Sequence, residues 1–195
     1  AMTSRVTRSD LVTDVSDNAP GAAVNRAGEA RGMSFRGNEL VAHIAYASGP
    51  ANSWADVRRG DAIALACERL DIRLTRLTHQ AASIQGGRAA AATAIASGAT
   101  AVIAYNDLIA LGVEAGIEEL GRSCPEDLSI VGNDDIELAS ARRSGLTTVR
   151  LAIDRCGSLG VEVLLQAMQT TAPEGVVELE SQLIVRGSTA APPAR

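Results

Sequence analysis

Apolar and polar positions fall into alternating blocks along the middle of the chain. Leu40-Val-Ala-His-Ile-Ala-Tyr is an apolar run closed by Gly49-Pro50, which predicts a buried strand. From Ser53 the spacing turns helical. Ser53 supplies a cap, Asp56 sits in the first turn, and the pattern runs to about Leu70. Ile72-Arg-Leu-Thr-Arg-Leu predicts the next strand. An Ala-rich helix follows from Gly86 to Ser97, and Gly98 ends it with a left-handed cap. Thr100-Ala-Val-Ile-Ala-Tyr lacks polar alternation, as a strand covered on both faces does. Asn106-Asp107 then caps a helix that runs to Leu120 and stops at Gly121. Pro125 leads into a strand at Leu128-Ser-Ile-Val-Gly. Leu146 to Val149 is short and extended, Asp154 opens a helix to about Met168, and Gln182-Leu-Ile-Val-Arg is a last strand. Strands and helices alternating at this spacing predict an α/β fold, a doubly wound parallel sheet with right-handed crossovers.

The ends read differently. Residues 1–21 are polar and irregular up to the break at Pro20-Gly21, and are expected to be disordered or a remnant segment. Residues 22–189 are expected to form the folded lobe, with a weakly patterned helix from Ala22 to Met33. Residues 190–195 are Pro- and Ala-rich and expected to be a disordered tail.

The helix after Asn106 is apolar on more than one face. Ile109, Val113, Ile117 and Leu120 form one stripe at helical spacing, and Leu108 and Leu111 form a second, rotated away from it. Neighbouring elements could bury both stripes, or the second could be a subunit interface.

Charge and composition narrow the function. The net charge is −5, and all 18 basic residues are Arg. A nucleic-acid surface needs clustered positive charge, so none is expected on this chain. Without Lys, a Schiff-base enzyme, a Walker-type ATPase and a phosphoacceptor receiver are all disfavoured. Cys67, Cys124 and Cys156 lie far apart with no C-x-x-C, which reads as reduced cytosolic thiols. No apolar run reaches the roughly 18–20 residues of a membrane span. With no signal pattern either, a cytoplasmic protein is expected. His43 and His79 have no partner at metal-ligand spacing, so neither metal nor cofactor is expected.

In open parallel sheets, ligands bind beyond the carboxyl ends of the strands. Tyr105-Asn106-Asp107 and Asn133-Asp134-Asp135 both fall at such ends. An amide with carboxylates suits the vicinal hydroxyls of a sugar or nucleoside. The plainer readings are a helix cap for the first cluster and a polar turn for the second. Paired carboxylates could also serve hydrolysis. However, there is no G-x-S-x-G elbow and no readable Ser/His/Asp set, so binding is the better reading and no enzyme is expected.

Five segments in register resemble the LacI family of bacterial transcription repressors. They are Gly49-Pro50 through Ile72, Thr100 to Gly112, Cys124-Pro-Glu-Asp-Leu-Ser-Ile-Val-Gly-Asn-Asp-Asp-Ile, Leu146-Thr-Thr-Val-Arg, and Leu183-Ile-Val-Arg-Gly-Ser-Thr. The resemblance implies a periplasmic-binding-protein-like fold, essentially its second lobe, without the DNA-binding headpiece and most of the first lobe. It implies that Arg59 clamps ligand hydroxyls or carboxylates, that Asn106 contacts ligand, and that Asp134 accepts from ligand hydroxyls. Ile153 stands where the family often has an aromatic ring, and Trp54 lies near the pocket mouth. The family's dimers use the helix carrying Leu108 and Leu111 together with the segment near Ala141 and Arg142.

Three positions depart from the pattern: Asn133 replaces an aromatic residue, Ile153 is aliphatic, and Ala62 stands where the family has glycine. The function implied is sensing of a small-molecule effector, a sugar or similar, by a homodimer that meets DNA only through a headpiece and has no membrane partner. The alternative is a degenerate relative that acts only as an oligomerisation module. A third reading, a nucleoside- or sugar-modifying enzyme, lacks a nucleophile and base.

Overall fold

The computed structural model describes residues 43–141, 144–169 and 177–190. In chain order its elements are β1 (His43–Ala47), α1 (Trp54–Leu70), β2 (Arg73–Arg76), α2 (Ile84–Ala96), β3 (Ala101–Ala104), α3 (Asp107–Glu119), β4 (Ser129–Asp134), α4 (Glu137–Ala141), β5 (Thr147–Leu151), α5 (Ile153–Gln169) and β6 (Ser181–Ile184). The strands form one sheet in the order β2-β1-β3-β4-β5-β6. The first five are parallel, as the alternation predicted. β6 is not: it pairs antiparallel with β5. The chain leaves β5 at Leu151, passes through α5, and returns beside the same residue, with Ser181 opposite Leu151. A strand that re-enters at the end its neighbour has just left must run backwards.

Local signals account for the helix starts. Ser53 Oγ accepts the Asp56 N–H at 3.2 Å, Ser83 Oγ the Gly86 N–H at 3.1 Å, and Asn106 Oδ1 the Ile109 N–H at 3.0 Å. Each satisfies a backbone donor that the first helical turn leaves unpaired. Gly98 and Gly121 adopt the left-handed conformation that ends their helices, with φ of 74° and 73°. α4 was not anticipated; with five residues it is too short for a period to show.

Because β1 lies between β2 and β3, the chain winds both ways and covers both sheet faces. On one face α1 closes a small core of Ile44, Cys67 and Ile72. The other face holds the main core, with Val102, Ile109, Val113, Ile117, Ile130 and Leu146. There α2 and α3 meet through glycine: a Cβ on Gly87 would collide with the Ile109 carbonyl, and one on Gly112 with the Ile84 carbonyl. The small residues of α2 permit this approach.

The expected first stripe of α3 is buried at Ile109, Val113 and Ile117 but not at Leu120, which is 53% exposed. Leu120 is the C-cap residue, past the last turn that faces the sheet. Leu111 is partly buried against the main core and Leu108 is half-buried. Residues 1–42 lie outside the described residues, and with them the expected N-terminal segment, the helix at 22–33 and the start of the first strand. Arg142 and most of the 190–195 tail also lie outside. Ala190 is described: its N–H donates to Ser129 Oγ at 3.1 Å.

Candidate functional site

β1 and β3 are adjacent strands whose connections leave in opposite directions, so a crevice opens at their carboxyl ends. Gly49 follows β1 there, and Tyr105 and Asn106 follow β3. Gly49 has a steric reason to be glycine, since the Tyr105 ring fills the space where its Cβ would stand.

Asp56, in the first turn of α1, fixes this corner. Its buried Oδ1 accepts the Tyr46 hydroxyl at 2.8 Å and the Gly49 N–H at 2.6 Å. Burial, and then the Asp56 carboxylate, raise the Tyr46 phenol above its ordinary range, so it serves as a permanent donor. His79, from the segment after β2, places Nδ1 3.1 Å from the Gly49 carbonyl oxygen and 3.4 Å from Asp56 Oδ2. The end of β1, the start of α1 and the segment after β2 are thereby tied together.

One turn further along α1, Arg59 reaches over the crevice. Its Nη1 donates to the Tyr105 carbonyl at 2.8 Å, and its guanidinium lies 4.9 Å from the centre of the Tyr105 ring. Such stacking contributes about 0.5–2 kcal/mol and holds the planar fork in place. Tyr105 is itself steadied by Ser53, Oγ to hydroxyl 3.1 Å. Arg59 Nη2 stands 3.7 Å from Asp134 Oδ1, an ion pair too long for a strong hydrogen bond. Asn133 Nδ2 donates to that same oxygen at 2.6 Å.

The second cluster is not a simple polar turn. β4 continues through Asn133 and Asp134. Asp134 has φ 119° and Asp135 φ 53°. Each such conformation costs a non-glycine residue on the order of 1–3 kcal/mol and persists only where its surroundings impose it. The two carboxylates then differ. Burial raises the Asp134 pKa, more than Asn133 and Arg59 lower it. Burial acts the same way on Asp135, but Arg186 and Arg150 together overcome it and hold that carboxyl below the usual range. Asp107, fully buried, accepts the Ile136 N–H at 2.9 Å and the Thr148 hydroxyl at 2.5 Å, so it is part of the frame.

The structure thus brings Arg59, Asn106 and Asp134 to one rim. Asn106 spends its carbonyl oxygen on capping α3. Trp54 opens α1 and is 77% exposed, with the Arg58 guanidinium 5.9 Å from its ring. Ile153 opens α5 and is 62% exposed. Nothing described places either against the Arg59–Asp134 pair. Sequence reading placed Tyr105 in a candidate cluster without giving it a role of its own, and left Asp56 and His79 out of the site. The first two carried a signal, in a tyrosine beside the Asn-Asp pair and an acid three residues past a serine cap; His79 carried none. A separate shallow crevice of about 410 Å³ lies beside β5 and β6, lined by Arg150, Leu151, Ala152, Glu180, Ser181, Gln182 and Leu183. None of the three rim residues lines it. Among the described residues no His, Cys, Asp and Glu group could hold a metal, and no helix is long and apolar enough to cross a membrane.

Residues 36–189 match the model of the periplasmic binding protein-like domain family. The chain is similar to the HTH-type transcriptional regulator MalR of Streptomyces coelicolor, 36% identical over 134 residues, which are 68% of this chain and 38% of MalR. In structure it resembles the Lac repressor dimer bound to operator and the anti-inducer ONPF, with a TM-score of 0.72 and 30% identity, over 77% of this chain and 53% of that one. It also resembles a LacI family regulator from Enterococcus faecium with bound ribose, with a TM-score of 0.67 and 32% identity, over 77% and 57% of the two chains. The chain spans about a third of the length of the first curated relatives it matches. Those relatives are named as transcriptional regulators, not enzymes. The family match and the fold agree: the chain belongs to the periplasmic binding protein-like domain family, in the form that LacI-type transcriptional regulators use as their effector-binding part.

Proposed function

We propose that residues 22–189 are an effector-sensing lobe and that the effector is a small polyhydroxylated molecule, a sugar or similar. The observation that carries this reading is the Arg59–Asp134 pair, held open at 3.7 Å over a strand-end crevice while Tyr105 keeps the guanidinium in place. A forked donor beside an acceptor-only carboxylate matches a vicinal diol. Asn106 is a third polar group on the same rim, and the family resemblance, rather than any contact, adds Trp54 and Ile153 to the ligand-binding set. The ribose bound by the Enterococcus relative favours the same ligand class.

The described residues supply one side of the crevice, and a one-sided site encloses little of a ligand, so affinity for the chain by itself is expected to be millimolar. Two-dimensional amide spectra recorded against ribose, other sugars and purine nucleosides should shift at residues 49–59, 105–107 and 133–136. Arg59→Met should remove the response. An unresponsive parent, or a response that survives Arg59→Met, would sink the assignment and leave the alternative of an oligomerisation module.

The second part of the proposal is a cytoplasmic homodimer that reaches DNA only through a separate headpiece. Its interface is α3 with the segment near Ala141 and Arg142. Support comes from the half-buried Leu108 and Leu111 on a helix whose other faces are already packed, and from the dimeric Lac repressor. A two-fold contact places each substitution in the interface twice. Leu111→Asp should therefore give a folded monomer in sedimentation beside a dimeric parent. A monomeric parent at high concentration, or a variant that stays dimeric, would rule this helix out.

A further inference from the structure

We propose that Asp135 is a positioning residue: pinned between Arg150 and Arg186, it holds the 134–135 backbone in its unusual conformation and so keeps the Asp134 carboxylate opposite Arg59. The inference rests on reading Asp134 as a ligand contact.

Asp135 cannot serve a ligand itself. Its side chain is only 6% exposed, and both oxygens are taken, Oδ2 by Arg150 Nε at 2.6 Å and Oδ1 by Arg186 Nη2 at 2.7 Å. Its backbone is held as well. The Asp135 N–H donates to Thr148 Oγ1 at 3.3 Å, and the next N–H, of Ile136, donates to Asp107. The clamp is anchored beyond the turn, since Arg186 also donates Nη1 to the Leu146 carbonyl at 2.8 Å. Among the described residues Asp134 has no comparable anchor: its partners are the neighbouring Asn133 amide and the long pair to Arg59. Consecutive left-handed residues aim the two carboxylates differently, one into the clamp and one to the rim. An L-residue at φ 119° relaxes when its restraint is released. The clamp is therefore what presents Asp134. Arg150 lies on β5 and Arg186 follows β6, the strands from which the chain departs towards α5 and returns. The rim carboxylate is mechanically tied to that excursion.

The test is a carbon-detected carboxyl titration of Asp134 in the full chain, with no ligand present. Asp134 starts above its ordinary pKa because it is held in a partly buried position. Asp135→Asn and Arg150→Ala both weaken the clamp but change the local charge in opposite senses. If the clamp positions Asp134, both variants release it into water and both lower its midpoint. If the neighbours act only through their charge, Asp135→Asn lowers the midpoint and Arg150→Ala raises it, and the proposal fails. An unmoved midpoint also overturns it. Arg150 is 53% exposed, so Arg150→Ala gives the answer even where Asp135→Asn does not fold. A ribose titration by amide shifts then separates the two readings. Asp135→Asn should weaken a parent response at least ten-fold. A parent that ignores ribose and every other sugar, with both midpoints lowered, would leave the positioning role standing and remove the sugar-binding one.

Discussion

α3 and α5 are built from similar residues and end in opposite environments. In α3, Ile109, Val113 and Ile117 are fully buried, and Gly112 is glycine because the α2 backbone leaves no room for a Cβ. In α5, apolar side chains cover more than half the circumference, yet no residue is buried. Leu164 is 60% and Met168 75% exposed, and among the described residues nothing lies within 4 Å of where a Cβ on Gly157 or Gly160 would stand. An apolar pattern records that a helix is made for contact. It does not record whether the sheet it is attached to supplies that contact.

The sharpest way to break this contrast is truncation on each helix. Ile109→Ala should cost about 2–5 kcal/mol in urea unfolding, from lost burial plus a cavity. Leu164→Ala should change stability by no more than about 0.5 kcal/mol, as surface substitutions do. A loss of comparable size at Leu164 would mean that α5 is covered in solution. Added methyl groups give smaller effects, opposite in sign on the two helices. Gly112→Ala forces α2 and α3 apart and should lose about 1–3 kcal/mol. Gly160→Ala adds helix propensity where nothing stands in the way and should gain up to about 1 kcal/mol. A destabilising Gly160→Ala, read from the melting temperature, would show a close neighbour there.

The smallest difference lies between adjacent carboxylates at the rim. The folded pKa of Asp135 is depressed below its ordinary 3.8, so its ionised form stabilises the fold above that value. That contribution is lost as pH falls through the folded pKa. Asp135→Asn should therefore weaken the fold at neutral pH and flatten its loss of stability below about pH 4. The Asp134 pKa is raised, so its ionised form costs stability at neutral pH, and the cost is relieved as pH falls through the folded pKa. Asp134→Asn should stabilise the protein slightly at neutral pH and not in acid. Equal signs for the two variants in acid-unfolding curves would contradict the distinct environments described for them.

The sequence by itself determined the alternation of strands and helices, the serine and asparagine caps, and the glycine stops at 98 and 121. These depend on a period of side chains and on hydrogen bonds spanning three or four residues, so they are written locally. It also pointed to the clusters holding Asn106 and Asp134, from their place after predicted strands, while Arg59 came through family resemblance. Only the tertiary structure decided that β6 runs backwards, that Leu120 faces outward, and that α5 is left uncovered. It alone decided that Tyr105 carries Arg59 and that Asp135, not Asp134, is the clamped acid. Those outcomes join residues far apart in the chain, as Arg59 joins Tyr105 across 46 positions and Asp135 joins Arg186 across 51. No local period encodes such a pairing, because what each group meets depends on where the rest of the chain is packed.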